Sequence, residues 1–380
     1  MKLLYITENI NAVFYSQVVE LLNAIAENNF FDEIYLVIGL RDPSSIDKIK
    51  ELNSNIYLLT FKTYPMYPFC NILTMNSLFK LFKSLSINKS FILHTRIEFM
   101  GSLAYQSYLK LNSTKPNLLI DIRGAVIEEV KQYGRMNIVL KFFKLFNYKK
   151  NIQKALSNAT YINTVSNKLK DYIQNTYNID TNIISVIPTV SGKNFYYNNE
   201  ERQRVRKSIG LREEEILFVF SSGSSQAWQN DDEIVKILTQ QGYKILMLTK
   251  KQYENPNVIS RFVPYIEVSS YLNAADIGVI IRNSDVVNNV ASPIKFSEYI
   301  SCGLPIVSNR SVDIINRIID KTSFGKIMDL PDIDTNTINF LIKLNRYQIS
   351  NFGRSIFSID DITRNYMDIY LKMSEGKKHG

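Results

Sequence analysis

The sequence predicts an α/β protein with two domains, each a parallel β-sheet covered by helices. The chain has 380 residues, which is too many for one ordinary hydrophobic core and suits two domains of roughly 180 residues each. Short apolar runs alternate with segments of helical periodicity, a rhythm typical of parallel sheets that are buried on both faces. The alternation pauses in the polar run from Tyr196 to Arg206 and restarts at Ile216, so this run has the composition of a connection between domains.

The elements of the first half follow from two periodicities. Apolar, largely β-branched or aromatic runs between polar breaks predict strands, and apolar residues spaced three and four apart predict helices. Helices are expected over residues 16–27, 71–86 and 167–177, with a polar helix over 44–53. Strands are expected at Lys2–Thr7, Glu33–Leu40, Asn55–Phe61, Ser90–Thr95, Asn117–Ile122, Tyr161–Ser166 and Ile184–Pro188. Ligands of open α/β sheets gather beyond the carboxyl ends of strands, so function is expected in the loops after Thr7, Thr95 and Ile122.

The second half repeats the pattern. Helices are expected over residues 230–241, 269–275 and 359–373. The same apolar runs predict strands at Ile216–Ser221, Lys244–Thr249, Val258–Val263, Ile277–Ile281 and Ile306–Ser308.

Composition limits the classes of protein. The chain is 45% hydrophobic and 21% charged, as expected of a globular protein with a substantial core. No apolar run approaches the ~18 residues of a membrane span, and the first residues turn polar too early for a signal peptide, so we expect a cytoplasmic protein. The sequence has two cysteines and two histidines, which argues against a disulfide framework and against a zinc site.

The formal charge of +9 calls for an acidic partner, which could be nucleic acid, an anionic lipid surface or a small molecule bearing phosphate. The basic residues are scattered, and the sequence has no nucleic-acid-binding motif, so we expect no nucleic-acid partner.

The segment from Ser292 to Pro305 predicts a helix that binds an anion at its beginning. Ser292 is a natural N-cap and Pro293 suits the first helical position. The backbone amides of Ile294 and its neighbours would face a diphosphate there, together with the positive end of the helix dipole. Glu298 lies on the second turn, where a carboxylate could accept hydrogen bonds from two ribose hydroxyls. A capped helix of this kind is also common in any α/β protein, and a solvated Glu298 is the alternative.

Asp276–Arg282 followed by Ala291–Pro305 resembles the nucleotide-sugar-binding half of glycosyltransferase family 4, a retaining family with the GT-B fold. The resemblance implies two Rossmann-like domains with parallel sheets facing a central cleft. In that family the second glutamate of an E-x7-E motif contacts the donor ribose, and Glu298 occupies its place. The first glutamate would fall on Val290. The Ser-Pro-x-Lys-Phe variant resembles a subgroup associated with bacterial capsule and O-antigen gene clusters.

The resemblance also implies a domain organisation. Residues 1–190 would form the acceptor-binding domain and residues 191–358 the nucleotide-sugar-binding domain. Residues 359–380 would contain a C-terminal helix that crosses back to the first domain.

Further donor contacts are expected in the loop after the strand at Ile216–Ser221. Gly223 and Ser224 resemble a family loop that approaches the donor phosphates, although the arginine and Lys-Gly of the usual pattern are missing. Arg282 and Lys295 are then the candidates that bind the negatively charged phosphates and assist departure of the nucleotide. The alternative is that both are solvated surface residues. The sequence has no Asp-x-Asp motif at a strand end, so we expect neither a metal ion nor another cofactor.

Acceptor contacts are expected at two strand ends of the first half. His94 and Arg96 end one strand, and Asp121 and Arg123 follow the next. Arg123 is a catalytic candidate, but many family members have a histidine in its loop and this chain has none there. A structural role for His94 and a surface ion pair between Arg123 and Glu128 are the alternatives.

Two basic amphipathic segments, residues 138–150 and 78–86, fit a peripheral contact with an anionic membrane. They fit equally helices that pack on a sheet with their lysines reaching solvent. A lipid-linked saccharide acceptor would explain both segments and the net charge.

The sequence therefore predicts a retaining glycosyltransferase. It would transfer a sugar from a nucleoside-diphosphate donor to a saccharide acceptor, on the inner face of the cytoplasmic membrane. A GT-B-like binding protein without turnover and a nucleotide-sugar epimerase are the alternatives.

Overall fold

The structure is a computed structural model, which describes residues 1–8, 10, 13–42, 49, 52–65, 68–222 and 230–375. The chain divides into two compact units. Unit 1 contains Met1–Pro188 and the residues from Thr363 onward, and unit 2 contains Thr189–Ile362. The predicted helix over 44–53 lies mostly outside the described residues.

Unit 1 is built on a seven-stranded parallel sheet with the order β3-β2-β1-β4-β5-β6-β7. Apolar side chains fill both faces of its central strands, and residues 3–6 have no exposed surface. All seven predicted strands are confirmed, with ends that differ by at most two residues. The strands are β1 Lys2–Glu8, β2 Glu33–Leu40, β3 Ile56–Lys62, β4 Phe91–Arg96, β5 Asn117–Ile122, β6 Tyr161–Thr164 and β7 Ile184–Val186.

The helices of unit 1 include two that the sequence periodicity did not predict, α3 and α4. A π-helical turn over Tyr15–Val19 leads into the first helix. The helices are α1 Glu20–Glu27, α2 Pro68–Ser84, α3 Glu98–Leu111, α4 Val126–Tyr133, α5 Ile138–Leu156 and α6 Asn167–Tyr177.

Unit 2 repeats the plan with a six-stranded parallel sheet, order β10-β9-β8-β11-β12-β13. The strands are β8 Leu217–Ser221, β9 Lys244–Leu248, β10 Val258–Arg261, β11 Ile277–Ile280, β12 Ile306–Ser308 and β13 Gly325–Ile327. The helices are α7 Asn199–Ser208, α8 Asp231–Gln240, α9 Tyr265–Ala274, α10 Val286–Asn289, α11 Ile294–Ser301, α12 Asp313–Thr322, α13 Thr335–Ile342 and α14 Arg346–Phe357. The last helix, α15, is Ile359–Glu375, and its residues from Thr363 belong to unit 1.

The composition of the polar run Tyr196–Arg206 predicts a linker, and this prediction is wrong. Most of it forms α7 inside unit 2. Arg202 donates to the carbonyl of Ala275 at 2.8 Å, and Arg206 pairs with Asp276 at 3.2 Å. The run is polar because its arginines bind the carbonyls and the carboxylate at the end of α9.

Both sheets reverse their strand order once, and this reversal marks the expected ligand sites. The reversal lies between β1 and β4 in unit 1 and between β8 and β11 in unit 2. At such a point the connections leave in opposite directions and open a crevice beyond the carboxyl ends of the strands.

Candidate functional site

The candidate donor site lies at the reversal point of unit 2. β8 ends at Ser221 and β11 ends two residues before Arg282, so both chain segments leave the same edge of the sheet. Helix α11 follows β11 and the short helix α10, and it carries Lys295 and Glu298. Gly223 and Ser224, the predicted phosphate contacts, lie outside the described residues.

Helix α11 begins one residue later than predicted. Pro293 is the N-cap, and its carbonyl accepts a hydrogen bond from the amide of Phe296 at 3.0 Å. The N-cap role predicted for Ser292 is therefore wrong. Its buried hydroxyl instead lies 3.0 Å from that of Thr189 and accepts a hydrogen bond from the Thr189 amide at 3.3 Å. Ser292 thus fixes the approach to the helix.

Helix α11 ends in a turn that requires glycine. Gly303 adopts φ +73° just past the helix, and Leu304 donates its amide to the carbonyl of Tyr299 at 3.0 Å, as in a Schellman motif. A side chain at Gly303 would place its Cβ 2.4 Å from the carbonyl oxygen of Arg346. Glycine is required here for its conformation and for this close approach, and β12 follows directly after Pro305.

Lys295 and Glu298 lie on the same face of α11, three residues apart. The Nζ of Lys295 lies 4.0 Å from the ring centre of Phe220 on β8. Burial and the nearby positive charge of Arg282 hold the pKa of Lys295 well below its usual value, while Glu298 opposes this shift. The side chain of Glu298 is only 8% exposed. The structure therefore places Arg282 and Glu298 close to Lys295, and the contact of these three side chains with a donor stays a prediction.

A polar scaffold that the sequence analysis missed holds Arg282. Its Nη1 donates to the Oδ1 of Asn288 at 3.2 Å, and Asn288 is held by Asp285 through hydrogen bonds of 2.8 and 3.0 Å. The carbonyl of Arg282 accepts hydrogen bonds from Asn309 and Ser311 at 2.8 and 2.7 Å. Loop residues of these types are common in any sequence, so no motif could have identified them.

Tyr299 connects α11 to the end of β8. Its buried hydroxyl accepts a hydrogen bond from the amide of Ser221 at 2.7 Å. Its ring packs on β11 at Gly278, where a Cβ would lie 2.5 Å from a ring carbon. Helix α11 is thereby fixed against the end of β8 and against β11. Val290, where the resemblance would place the first glutamate of the E-x7-E motif, is 3% exposed.

In unit 1, the predicted acceptor residues converge on one buried carboxylate. The Oδ2 of Asp121 lies 2.7 Å from Nη2 of Arg123, 4.0 Å from Nη1 of Arg96 and 4.0 Å from Nε2 of His94. Burial opposes ionisation of Asp121, but the guanidinium groups of Arg123 and Arg96 hold its pKa below the usual value. The alternative ion pair between Arg123 and Glu128 does not form, because Glu128 pairs with Lys131 at 2.8 Å.

The same cluster receives helix α15. Nδ1 of His94 lies 2.7 Å from the hydroxyl of Tyr370, and Arg123 donates to the hydroxyl of Tyr366 at 3.3 Å. Burial lowers the pKa of His94 to about 3, so it is neutral at physiological pH. His94 and Asp121 have no exposed surface, and they bind Tyr370 and Arg123 respectively. The roles predicted for His94, Arg96, Asp121 and Arg123 toward an acceptor stay predictions.

The two basic segments differ in exposure. Leu78 and Phe82 have no exposed surface, so core packing, the alternative reading, describes segment 78–86. The beginning of α5 presents its apolar side chains to solvent, with exposed fractions of 81% for Ile138, 67% for Phe142 and 65% for Phe146. This surface, residues 138–146, is called the α5 apolar surface below.

Among the described residues, no helix is long and apolar enough to cross a bilayer. Within the same residues, no group of three or more histidine, cysteine, aspartate and glutamate side chains is arranged to hold a metal ion.

Known structures resemble the whole chain. No protein-family model and no curated protein matches the sequence. Sucrose-phosphate synthase from Thermosynechococcus elongatus has a TM-score of 0.70 at 14% identity, over 99% of both chains. HepE from Anabaena, in complex with UDP and glucose, has a TM-score of 0.70 at 11% identity, over 98% of this chain and all of the other. The fold is GT-B. WaaG, a glycosyltransferase involved in lipopolysaccharide biosynthesis, has a TM-score of 0.63 at 11% identity, over 97% of this chain and 95% of the other.

Proposed function

We propose that the protein is a retaining glycosyltransferase of the family 4 type. It would transfer a hexosyl or related sugar from a nucleoside-diphosphate donor to a lipid-linked saccharide in bacterial surface-polysaccharide synthesis, such as that of capsule or O-antigen. One observation carries this proposal, namely the grouping of Arg282, Lys295 and Glu298 at the strand-order reversal of unit 2. Reversal points are where sheets of this type bind nucleotides.

The proposed donor roles follow from the chemistry of these side chains. Glu298 accepts hydrogen bonds from the ribose hydroxyls, and a carboxylate is acceptor-only. Arg282 and Lys295 bind the diphosphate, Arg282 as a planar fork and Lys295 as a point charge. The depressed pKa of Lys295 supports this role, because an incoming phosphate would offset the repulsion from Arg282 and keep the ammonium charged. The two cations then stabilise the leaving nucleotide without requiring a metal ion.

The α5 apolar surface supports an acceptor that resides in a membrane. Six large apolar side chains of residues 138–146 are between 44% and 81% exposed. Lys141 and Lys144 lie between them, and Lys149 and Lys150 follow on the same helix. Exposed apolar side chains interleaved with lysines favour an anionic bilayer over bulk water. The proposed enzyme therefore acts from the cytoplasmic face of a membrane.

A transfer assay tests the proposal. A panel of UDP-, GDP- and CDP-sugars is incubated with the protein and a bacterial lipid fraction, and the lipid products are analysed by mass spectrometry. The proposal predicts a lipid product one sugar heavier that depends on both substrates. Sugar isomerisation without acceptor would instead indicate an epimerase, and nucleotide binding without any product would indicate a binding protein.

A further inference from the structure

A cavity in unit 1 lies beyond the carboxyl ends of β4 and β5. Its volume is about 180 Å³, and Ile97, Glu98, Phe99, Arg123, Glu129 and Tyr148 contribute to its walls. This volume is below the roughly 300 Å³ lower limit for drug-sized ligands and suits a single small ring. No motif in the sequence marks Glu98, Glu129 or Tyr148 as functional residues.

The backbone at one wall of the cavity is unusual. Ile97 adopts φ +73° and ψ 142° between β4 and α3, a conformation that a β-branched residue rarely takes and that costs about 1–3 kcal/mol. The amide of Ile97 donates to the carbonyl of Asp121 at 2.8 Å, which anchors the turn to β5. As a result, Glu98 starts α3 at the wall of the cavity.

Glu98 is buried there, and none of the described residues offers its carboxyl group a cation. Its side chain is 5% exposed, and within the described part of the chain the hydrogen bond to its carboxylate comes from its own backbone amide. Burial and the negative charges of Glu129 and Asp121 raise the pKa of Glu98 to about 7. Burying a carboxyl group with so few partners is costly, so a ligand that donates hydrogen bonds would relieve the cost.

The other walls define the chemistry of that ligand. The rings of Phe99 and Tyr148 meet edge to face, with centroids 5.6 Å apart, and provide apolar surface for the carbon face of a ring. Arg123 pairs with Asp121 through Nη2 at 2.7 Å, and within the described residues its buried Nη1 has no hydrogen-bond partner. Glu129 adds a second carboxyl group to the walls. Walls with both a free donor and carboxyl acceptors favour an uncharged polyol ring, whose hydroxyl groups donate and accept, and the two carboxyl groups disfavour an anion.

We propose that this cavity, the Glu98 pocket, binds one ring of a neutral saccharide, whose hydroxyl group donates a hydrogen bond to the Glu98 carboxylate. The inference rests on the proposed function, in which this ring is the end of the acceptor that receives the sugar.

Ligand-observed saturation-transfer NMR on the full chain tests the pocket. The probes are the methyl glycosides of glucose, galactose and N-acetylglucosamine, with methyl glucuronide as the anionic comparison. Wild type is expected to give a signal with at least one neutral glycoside and a weaker one with the glucuronide. Glu98→Leu removes the acceptor. Val126 is a further wall residue, and Val126→Phe fills the cavity with a larger side chain. Each substitution should weaken the binding at least about tenfold. Glu27→Gln, an exposed position of unit 1, is the matched control and should not change the signal.

Two results would overturn the inference. One is the absence of any signal from the neutral glycosides, and the other is equal binding by folded Glu98→Leu and Val126→Phe. Calorimetry with nucleoside diphosphates separates this failure from failure of the proposed function. Nucleotide binding without a Glu98-dependent saccharide signal rejects the pocket alone. A Glu98-dependent signal without nucleotide binding rejects the proposed transferase and leaves a saccharide-binding site.

Discussion

Glu98→Gln is expected to stabilise unit 1 in a pH-dependent manner. Glutamine keeps the shape of the side chain but cannot ionise. In wild type, the folded-state pKa of Glu98 is raised from 4.5 to about 7. Between these values the folded state holds a proton that the unfolded state has lost, so the contribution of Glu98 to stability falls as the pH rises.

The magnitude follows from the shift. A difference of about 2.5 pKa units corresponds to about 3 kcal/mol at pH 8, where the loss is complete. At pH 5 the loss is less than about 1 kcal/mol, because most of the difference accrues at higher pH. The free energy of unfolding of Glu98→Gln minus that of wild type should therefore grow by about 2 kcal/mol or more from pH 5 to pH 8.

Urea unfolding at both pH values measures this difference. Hydrogen-exchange mass spectrometry of peptides from β4 and α3 assigns the transition to unit 1, because a protein with two units need not unfold in one step. The Glu129 carboxyl group faces Glu98 and titrates in both proteins, so its own contribution cancels to first order. A constant difference between wild type and variant across this pH range would refute the buried, weakly compensated state of Glu98.

Two further predictions concern the surface and the fold. Phe142→Ser with Phe146→Ser should lower binding to anionic vesicles in a sedimentation assay by at least about tenfold, because each exposed ring contributes about 1.5–3 kcal/mol when it enters an apolar phase. Phe262 is 60% exposed in unit 2, so Phe262→Ser is the control. Equal losses of vesicle binding in the double variant and in Phe262→Ser would argue against a membrane role of the α5 apolar surface. Gly303→Ala should lower the free energy of unfolding by more than Gly242→Ala. Both glycines have positive φ, but only Gly303 would meet a backbone oxygen, at 2.4 Å, and equal losses would show that the contact is unimportant.

The strands were predictable because patterns of neighbouring residues in the sequence define them. β1 and β5, for example, are short apolar runs between polar breaks, and both faces of the sheets are buried. Helix α3 escaped prediction because it is buried on almost every side, so it lacks the one-sided apolar spacing that marks a surface helix. Helix α7 has the composition of a linker, because its many charged residues are typical of a solvent-exposed segment. Only the fold brings its arginines to the end of α9.

The candidate site was predictable where local chemistry defines it. Gly303 and the Pro293 region mark the ends of α11 in the sequence, and Arg282, Lys295 and Glu298 lie close to one another along the chain. The N-cap role predicted for Ser292 is wrong because its hydrogen-bond partner, Thr189, lies 103 residues away in the sequence. Glu98 could not be identified, because neither its burial nor the positive φ of Ile97 leaves a signature in the residue order.

The most direct test of the donor site is isothermal titration calorimetry of UDP, GDP and CDP into wild type, Glu298→Ala and the exposed control Glu267→Ala. The α11 site predicts that wild type and Glu267→Ala bind at least one nucleotide equally well. It predicts that Glu298→Ala, with an unchanged circular dichroism spectrum, binds that nucleotide at least about tenfold more weakly, as expected for loss of hydrogen bonds to a charged group. Undiminished affinity in Glu298→Ala would contradict the assignment of the ribose to Glu298.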